Sequence, residues 1–250
     1  MGDVQTVADS KRRFYAGYRR VIPGLFRRVV DELLVELHLL RRQQGFRPDA
    51  LFATGLGQVF DNFTRGFEPA DQREVLLTAL CSATDLDAAV LRQQASRLRE
   101  TIGQASEQQL KDWLEQRGAG APEPLQAVLQ DAGRPDFHYS RLHAVGLMAM
   151  LQDLTGGDDQ DPEALRSRAR EVGLQLGLQQ DKLDKDMGLY VSNLEKMAQA
   201  VELMEETVAA ERRKRERRLA GTSDSGSDSE SDADATVQGE PPAGVSQPLN

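Results

Sequence analysis

Apolar positions recur along this chain with a helical period, and the clearest run lies near its end. Leu183, Met187, Tyr190, Leu194, Met197, Val201, Met204 and Val208 follow one another at steps of 4, 3, 4, 3, 4, 3 and 4. That spacing is the a/d seam of a coiled coil, and it predicts one long helix from Lys182 to Leu219. At about 1.5 Å per residue such a helix spans roughly 57 Å, more than the width of a small domain. The seam therefore calls for cover, from this chain or from a partner. At Glu211 the apolar repeat gives way to a charged run that ends at Arg218.

The preceding stretches carry the same period. Capping residues between Thr6 and Ser10 predict a first helix to about Arg20, with Phe14, Tyr15 and Tyr18 on it. Pro23 opens a second, in which Ile22, Phe26, Val29, Leu33, Leu37 and Leu40 form a core stripe widened by Leu25, Val30 and Leu34. A third helix is expected from Pro48 to Arg65, with Val59, Phe60 and Phe63 on its buried side. A fourth spans 70–83 and carries Val75, Leu76, Leu77, Ala79 and Leu80, and a fifth spans 87–104. Short helices carry Trp113 and Val128, and the most apolar helix runs from Phe137 to Leu154. Asp161 and Pro162 start the last one before the seam. Val, Ile and Thr never cluster with a period of two, so strands are not expected. The fold class predicted is all-α: a multi-helix globular bundle over residues 1–180, a long coiled-coil-like helix with a basic end over 181–219, and an acidic tail over 220–250.

Charge changes the picture at both ends. The net charge is −9, but residues 221–250 contain six acids and no base. Rich in Ser, Asp and Gly, without an aromatic residue, that tail cannot bury enough surface to offset its ordering entropy and is expected to be disordered. The opening region is basic: Lys11, Arg12, Arg13, Arg19, Arg20, Arg27, Arg28, Arg41 and Arg42 outweigh its acids by four. A single cysteine, Cys81, excludes an internal disulfide framework and a cysteine-based zinc cluster. No apolar run approaches the ~20 residues of a membrane span.

Candidate chemistry is sparse. Neither His38, His138 nor His143 has a Glu three residues before it, as a di-metal bundle needs, and rim positions on helices are the expectation for all three. Gly55-Leu-Gly57 follows no strand and precedes no Lys, so it reads as a close helix contact and not as a phosphate loop. Asp158, Asp159 and Asp161 lack the spacing of a calcium loop. Cys81 is expected to be a buried small hydrophobe and Trp113 a core or satellite-cluster anchor. No catalytic, cofactor-binding or metal-ligating residue is assigned, and neither an enzyme nor a small-molecule substrate is expected. The run Arg212, Arg213, Lys214, Arg215, Arg217 and Arg218 could bind nucleic acid, but Glu211 and Glu216 dilute it and no aromatic residue interleaves it. Nucleic acid is accordingly not expected as a partner.

Several stretches together resemble one family, the thylakoid formation or photosystem II biogenesis proteins of cyanobacteria and plastids. They are Thr-Val-Ala-Asp-Ser-Lys-Arg-Arg-Phe-Tyr (6–15), Arg-Arg-Val-Val-Asp-Glu-Leu-Leu-Val-Glu-Leu-His-Leu-Leu (27–40) and Phe-Ala-Thr-Gly-Leu-Gly-Gln-Val-Phe-Asp-Asn-Phe (52–63). Tyr-Ser-Arg-Leu-His-Ala-Val-Gly-Leu (139–147) and Tyr-Val-Ser-Asn-Leu-Glu-Lys-Met-Ala-Gln-Ala (190–200) follow in the same order. His143 stands where the family pattern carries an aromatic residue, and the Ser/Asp tail lies outside the shared pattern. The resemblance implies a non-enzymatic helical protein of thylakoid biogenesis and photosystem II assembly or repair. It also implies an FtsH-type membrane protease as partner, and a cytoplasmic location, peripheral at the cytoplasmic face of the thylakoid, in a cyanobacterial form. No family residues are carried over as catalytic. The candidate partner-binding residues are Tyr190, Leu194, Met197, Val201, Met204, Arg212, Arg213 and Arg215. A seam that pairs with a second copy, or that packs on the chain's own helices, is the competing expectation.

Overall fold

The structure is a computed structural model that describes residues 5–157 and 161–224. Asp158 and Asp159 of the acidic loop, and the tail from residue 225 onward, lie outside the described residues. All regular structure among the described residues is α-helical, in ten helices. The chain divides into two compact units, the first ending at Glu202 and the second beginning at Leu203.

Helix α1 (Val7–Gly17) starts where capping chemistry dictates. The Thr6 hydroxyl accepts from Asp9 N at 3.2 Å, and Asp9 Oδ2 accepts from Thr6 N at 2.8 Å. The Thr6 N–H and hydroxyl both donate to the Asp9 carboxylate and, with Arg12 beside it, hold the carboxyl down at about 2. Helix α2 (Gly24–Arg42) turns Phe26, Val30, Leu33, Leu34 and Leu37 into the core. Helices α3 (Ala50–Phe63), α4 (Gln72–Ala83) and α5 (Ala88–Gly103) follow. Next come the short α6 (Glu107–Glu115) and α7 (Leu125–Ala132). The first unit is completed by α8 (Arg141–Leu154), α9 (Pro162–Gln175) and the first part of α10 (Gln180–Asp224).

Helix α3 is the centre of the first unit, packed against α8 on one side and α5 on another. The α3–α8 crossing is so close that two glycines are obligatory. A Cβ on Gly55 would stand 1.8 Å from the Leu142 carbonyl oxygen, and one on Gly146 would stand 2.1 Å from the Leu51 carbonyl oxygen. The expected close helix contact at Gly55 is thus found, with Gly146 as its counterpart. Helices α1 and α4 pack against each other beside α2, and α9 packs on α8.

Val75 is 47% exposed, because α4 turns Leu76, Leu77 and Leu80 inward. Two expectations need correction. The helix expected from Phe137 begins at Arg141, so His138 precedes it and does not share a helix with His143. His38 and His143 do not sit at helix rims: they are 5% and 1% exposed. Cys81 is buried, and desolvation pushes its thiol up to about 12, which keeps it protonated and inert. Trp113 packs, partly buried, against the cluster that holds Leu110, Leu114 and Leu125.

In the second unit the described chain is the remainder of α10, to Asp224. Leu203 is 65% and Val208 61% exposed, and Arg212 pairs with Glu216 four residues on at 3.0 Å.

Candidate functional site: a cleft along the last helix

The first unit uses the start of the seam to finish its own core. Leu183 and Met187 are completely buried, in one cluster with Leu147, Met150, Leu151 and Ala169. Further along α10 the contact loosens. Tyr190 and Leu194 are half-buried, Met197 is 7% exposed, and Val201 is half-buried. Over Leu183–Met197 the heptad spacing therefore records packing on the chain's own helices, one of the two kinds of cover the seam called for, because the apolar faces of α8 and α9 need cover as much as α10 does.

Where the packing loosens, a cleft of 410 Å³ opens between α2, α3, α8 and α10. Its walls come from Leu25, Val29 and Leu33 of α2, Val59 and Phe63 of α3, Val145 of α8, and Leu189, Tyr190 and Met197 of α10. Leu25, Val29, Val59 and Phe63 were expected in a closed core; they are half-buried because α10 does not reach down to fill the space over them. The size falls in the range of about 300–1,000 Å³ typical of binding clefts. Tyr190 is fixed in the wall: its hydroxyl accepts from Asn62 Nδ2 at 2.7 Å and its ring lies 6.0 Å from Phe63. Burial raises its phenol above the usual range.

The charges around the cleft are ordered. At one end Arg141 bonds Glu36 at 2.7 Å, with the carboxylate largely withdrawn from water. Desolvation raises the Glu36 carboxyl, and Arg141 opposes that shift. Asp186 lies at this end too, accepting from the Tyr139 hydroxyl at 3.0 Å, while Lys182 sits 4.9 Å over the Tyr139 ring. Burial, with the Asp186 charge beside it, pushes the Tyr139 hydroxyl far up. Towards the other end stand Arg28 and, on α10, Lys196. Glu32 lies between, paired with Arg28 at 2.9 Å.

Of the residues singled out from the sequence, Tyr190 and Met197 line the cleft and Leu194 and Val201 do not. Met204, Arg212, Arg213 and Arg215 belong to the second unit, where the three arginines are exposed. The α2 wall was not singled out, because Leu25 and Val29 carry no signal that separates a cleft from a core.

A second cluster imitates a catalytic triad. Ser140 Oγ lies 2.9 Å from His143 Nδ1, and His143 Nε2 lies 3.6 Å from Asp49 Oδ2. Its chemistry is that of a cap. His143 Nδ1 also accepts the Ser140 backbone N–H at 3.0 Å, which assigns the ring proton to Nε2, facing the Asp49 carboxylate. Asp49 Oδ1 in turn accepts from Phe52 N at 2.7 Å, capping α3. The ring is enclosed by Phe52, Phe137 and Tyr139, so His143 fills an aromatic position while joining two helix starts. A nucleophile buried under a 1% exposed histidine has no approach for a substrate. Among the described residues, no group of three or more His, Cys, Asp or Glu could hold a metal ion.

The described residues thus form an all-helical scaffold with a side-chain-lined cleft. Comparison with known proteins gives the family. Residues 6–219 match the sequence profile of the thylakoid formation protein. The chain is 47% identical over 228 residues to Protein Thf1 of Prochlorococcus marinus (strain MIT 9313), covering 91% of this chain and 94% of that one. It is 43% identical over 218 residues to Protein Thf1 of Synechococcus elongatus (strain ATCC 33912 / PCC 7942 / FACHB-805), with 86% of each chain covered. The solved structure of Psb29 superposes with a TM-score of 0.72 at 36% identity, over 84% of this chain and 98% of that one. The chain belongs to the thylakoid formation protein family, whose role is in thylakoid formation and photosystem II biogenesis. No helix among the described residues is long and apolar enough to cross a membrane.

Proposed function

We propose that this chain acts in photosystem II assembly and repair as a non-enzymatic factor that binds and stabilises the FtsH-type protease of the thylakoid membrane, working at the cytoplasmic face. The observation that carries this reading is the cleft: half-buried apolar side chains from four helices, rimmed by charge, of a size to receive the apolar face of a partner segment. Met197 and Leu189 offer the adaptable contacts such a surface uses.

The test is co-purification of the protease from thylakoid membranes with full-length protein and with Leu189→Asp. Leu189 lines the cleft and is 50% exposed, so the substitution places a charge on the docking surface and leaves the core intact. Recovery of the protease should fall about tenfold or more, with the melting temperature unchanged within a few degrees. Undiminished recovery would remove the cleft from the interaction. Truncation before Lys182 is not a usable control, because it deletes Leu183 and Met187 from the core.

A further inference from the structure

The second unit presents, on the same helix, a segment whose chemistry matches the cleft of the first. Continuing the seam beyond Val201, the a/d positions are Met204, Val208, Glu211 and Arg215. Glu205 flanks the start of this stripe and Arg212 its end, about 90° and 70° from its centre at 3.6 residues per turn. Val208 is 61% exposed, and Arg212, Arg213 and Arg215 are exposed. The segment is thus amphipathic, acidic at its first turn and basic at its last. The cleft has the opposite order when read from Lys196 back to Asp186. Lys196 supplies positive charge at one end, beside the Arg28–Glu32 pair, and Asp186 negative charge at the other, beside the Arg141–Glu36 pair.

The lengths agree as well. Asp186 and Lys196 are ten residues apart on α10, as are Glu205 and Arg215. Each interval is roughly 15 Å along a helix axis. A copy of the segment laid antiparallel to the host's α10 puts Glu205 by Lys196 and Arg28, and Arg215 by Asp186. Met204 and Val208 then meet the apolar floor of Val29, Phe63 and Met197. A twofold axis perpendicular to the two helices generates this antiparallel relation.

We propose that the cleft takes the Met204–Arg215 segment of a second copy of this chain, giving a reversible homodimer. Its occupant covers the surface assigned above to the protease. Self-association and protease docking therefore compete, and the dimer is the closed form of the docking surface. This consequence rests on that functional reading; the dimer itself does not.

Sedimentation equilibrium of the full-length chain over its widest soluble concentration range tests the proposal without any protease. The expected result is a concentration-dependent monomer–dimer equilibrium. Val208→Asp should abolish the dimer with helicity unchanged, because Val208 is exposed. Lys196→Glu and Glu205→Lys should each raise the dissociation constant about tenfold. The double variant should return it towards the starting value, which neither a general loss of stability nor a change in net charge would do. A monomer at every concentration overturns the proposal, whatever covers the cleft within that monomer. So does a dimer that ignores all three substitutions. Protease recovery, measured separately with Leu189→Asp, stands or falls on its own.

Discussion

The α3–α8 crossing and the α2–α10 cleft lie in the same unit and are built from equally apolar helices, yet they pack in opposite ways. At the crossing, Gly55 and Gly146 bring backbone against backbone, and an added Cβ at either would overlap a carbonyl oxygen. At the cleft, Leu25, Val29, Phe63 and Tyr190 hold the helices apart by the length of their side chains, and 410 Å³ stays unfilled. The difference teaches that residue size at the contact, more than hydrophobicity, decides whether two helices become core or surface. Close-packed backbone admits no adjustment, whereas a wall of half-buried side chains keeps apolar area available for exchange.

This contrast can be broken at its rigid end first. Gly55→Leu should cost at least about 3 kcal/mol, since only backbone movement could relieve a contact of 1.8 Å. Urea denaturation measures it, and a loss below 1 kcal/mol, about a fivefold change in the folded ratio, would show that the helices can part. Leu183→Ala comes next, at about 2–5 kcal/mol, because the side chain is completely buried where α10 joins the core. The same denaturation series checks it, and an effect under 1 kcal/mol would mean that α10 is not integral to the unit. Tyr139→Phe removes the hydrogen bond to Asp186 at the acidic end of the cleft and should cost about 1 kcal/mol. Hydrogen exchange at the start of α10 should rise with it while the α3–α8 crossing stays protected. Smallest is Leu25→Ala, which enlarges a space already open; about 0.5–1 kcal/mol is expected. A loss comparable to that of Leu183→Ala would show that the cleft wall is core after all.

Much of the fold was legible beforehand because helical periodicity and caps are local. Thr6, Asp49, Asp87, Ser106 and Asp161 each accept a backbone N–H at a helix start. The candidate site was legible only in part. Tyr190 and Met197 were flagged by the seam, but heptad spacing reports that one face of a helix is apolar, not whose surface covers it. That is why Leu183 and Met187 turned out to be core. Val29 and Phe63 failed in the reverse direction: an apolar residue on the right face predicts burial, and only the spacing of the neighbouring helices leaves it beside a cleft. His143 escaped for a third reason. Its Ser140 partner is three residues away, a readable cap spacing, but the burial comes from Phe52 and Asp49, far off in sequence.

By itself the sequence determined that the described residues are all-helical, where most of the helices are capped, that the last helix is long and carries a basic run, and, through five stretches in order, which family the chain belongs to. These properties rest on interactions within a few residues or on residue identity alone. Tertiary structure decided the rest: that Gly55 meets Gly146, that the seam is divided between core and cleft, and that Ser140, His143 and Asp49 form a cap. Each of these depends on how far apart two helices stand. That distance is set by the side chains of both partners at once, and no single stretch of chain contains both.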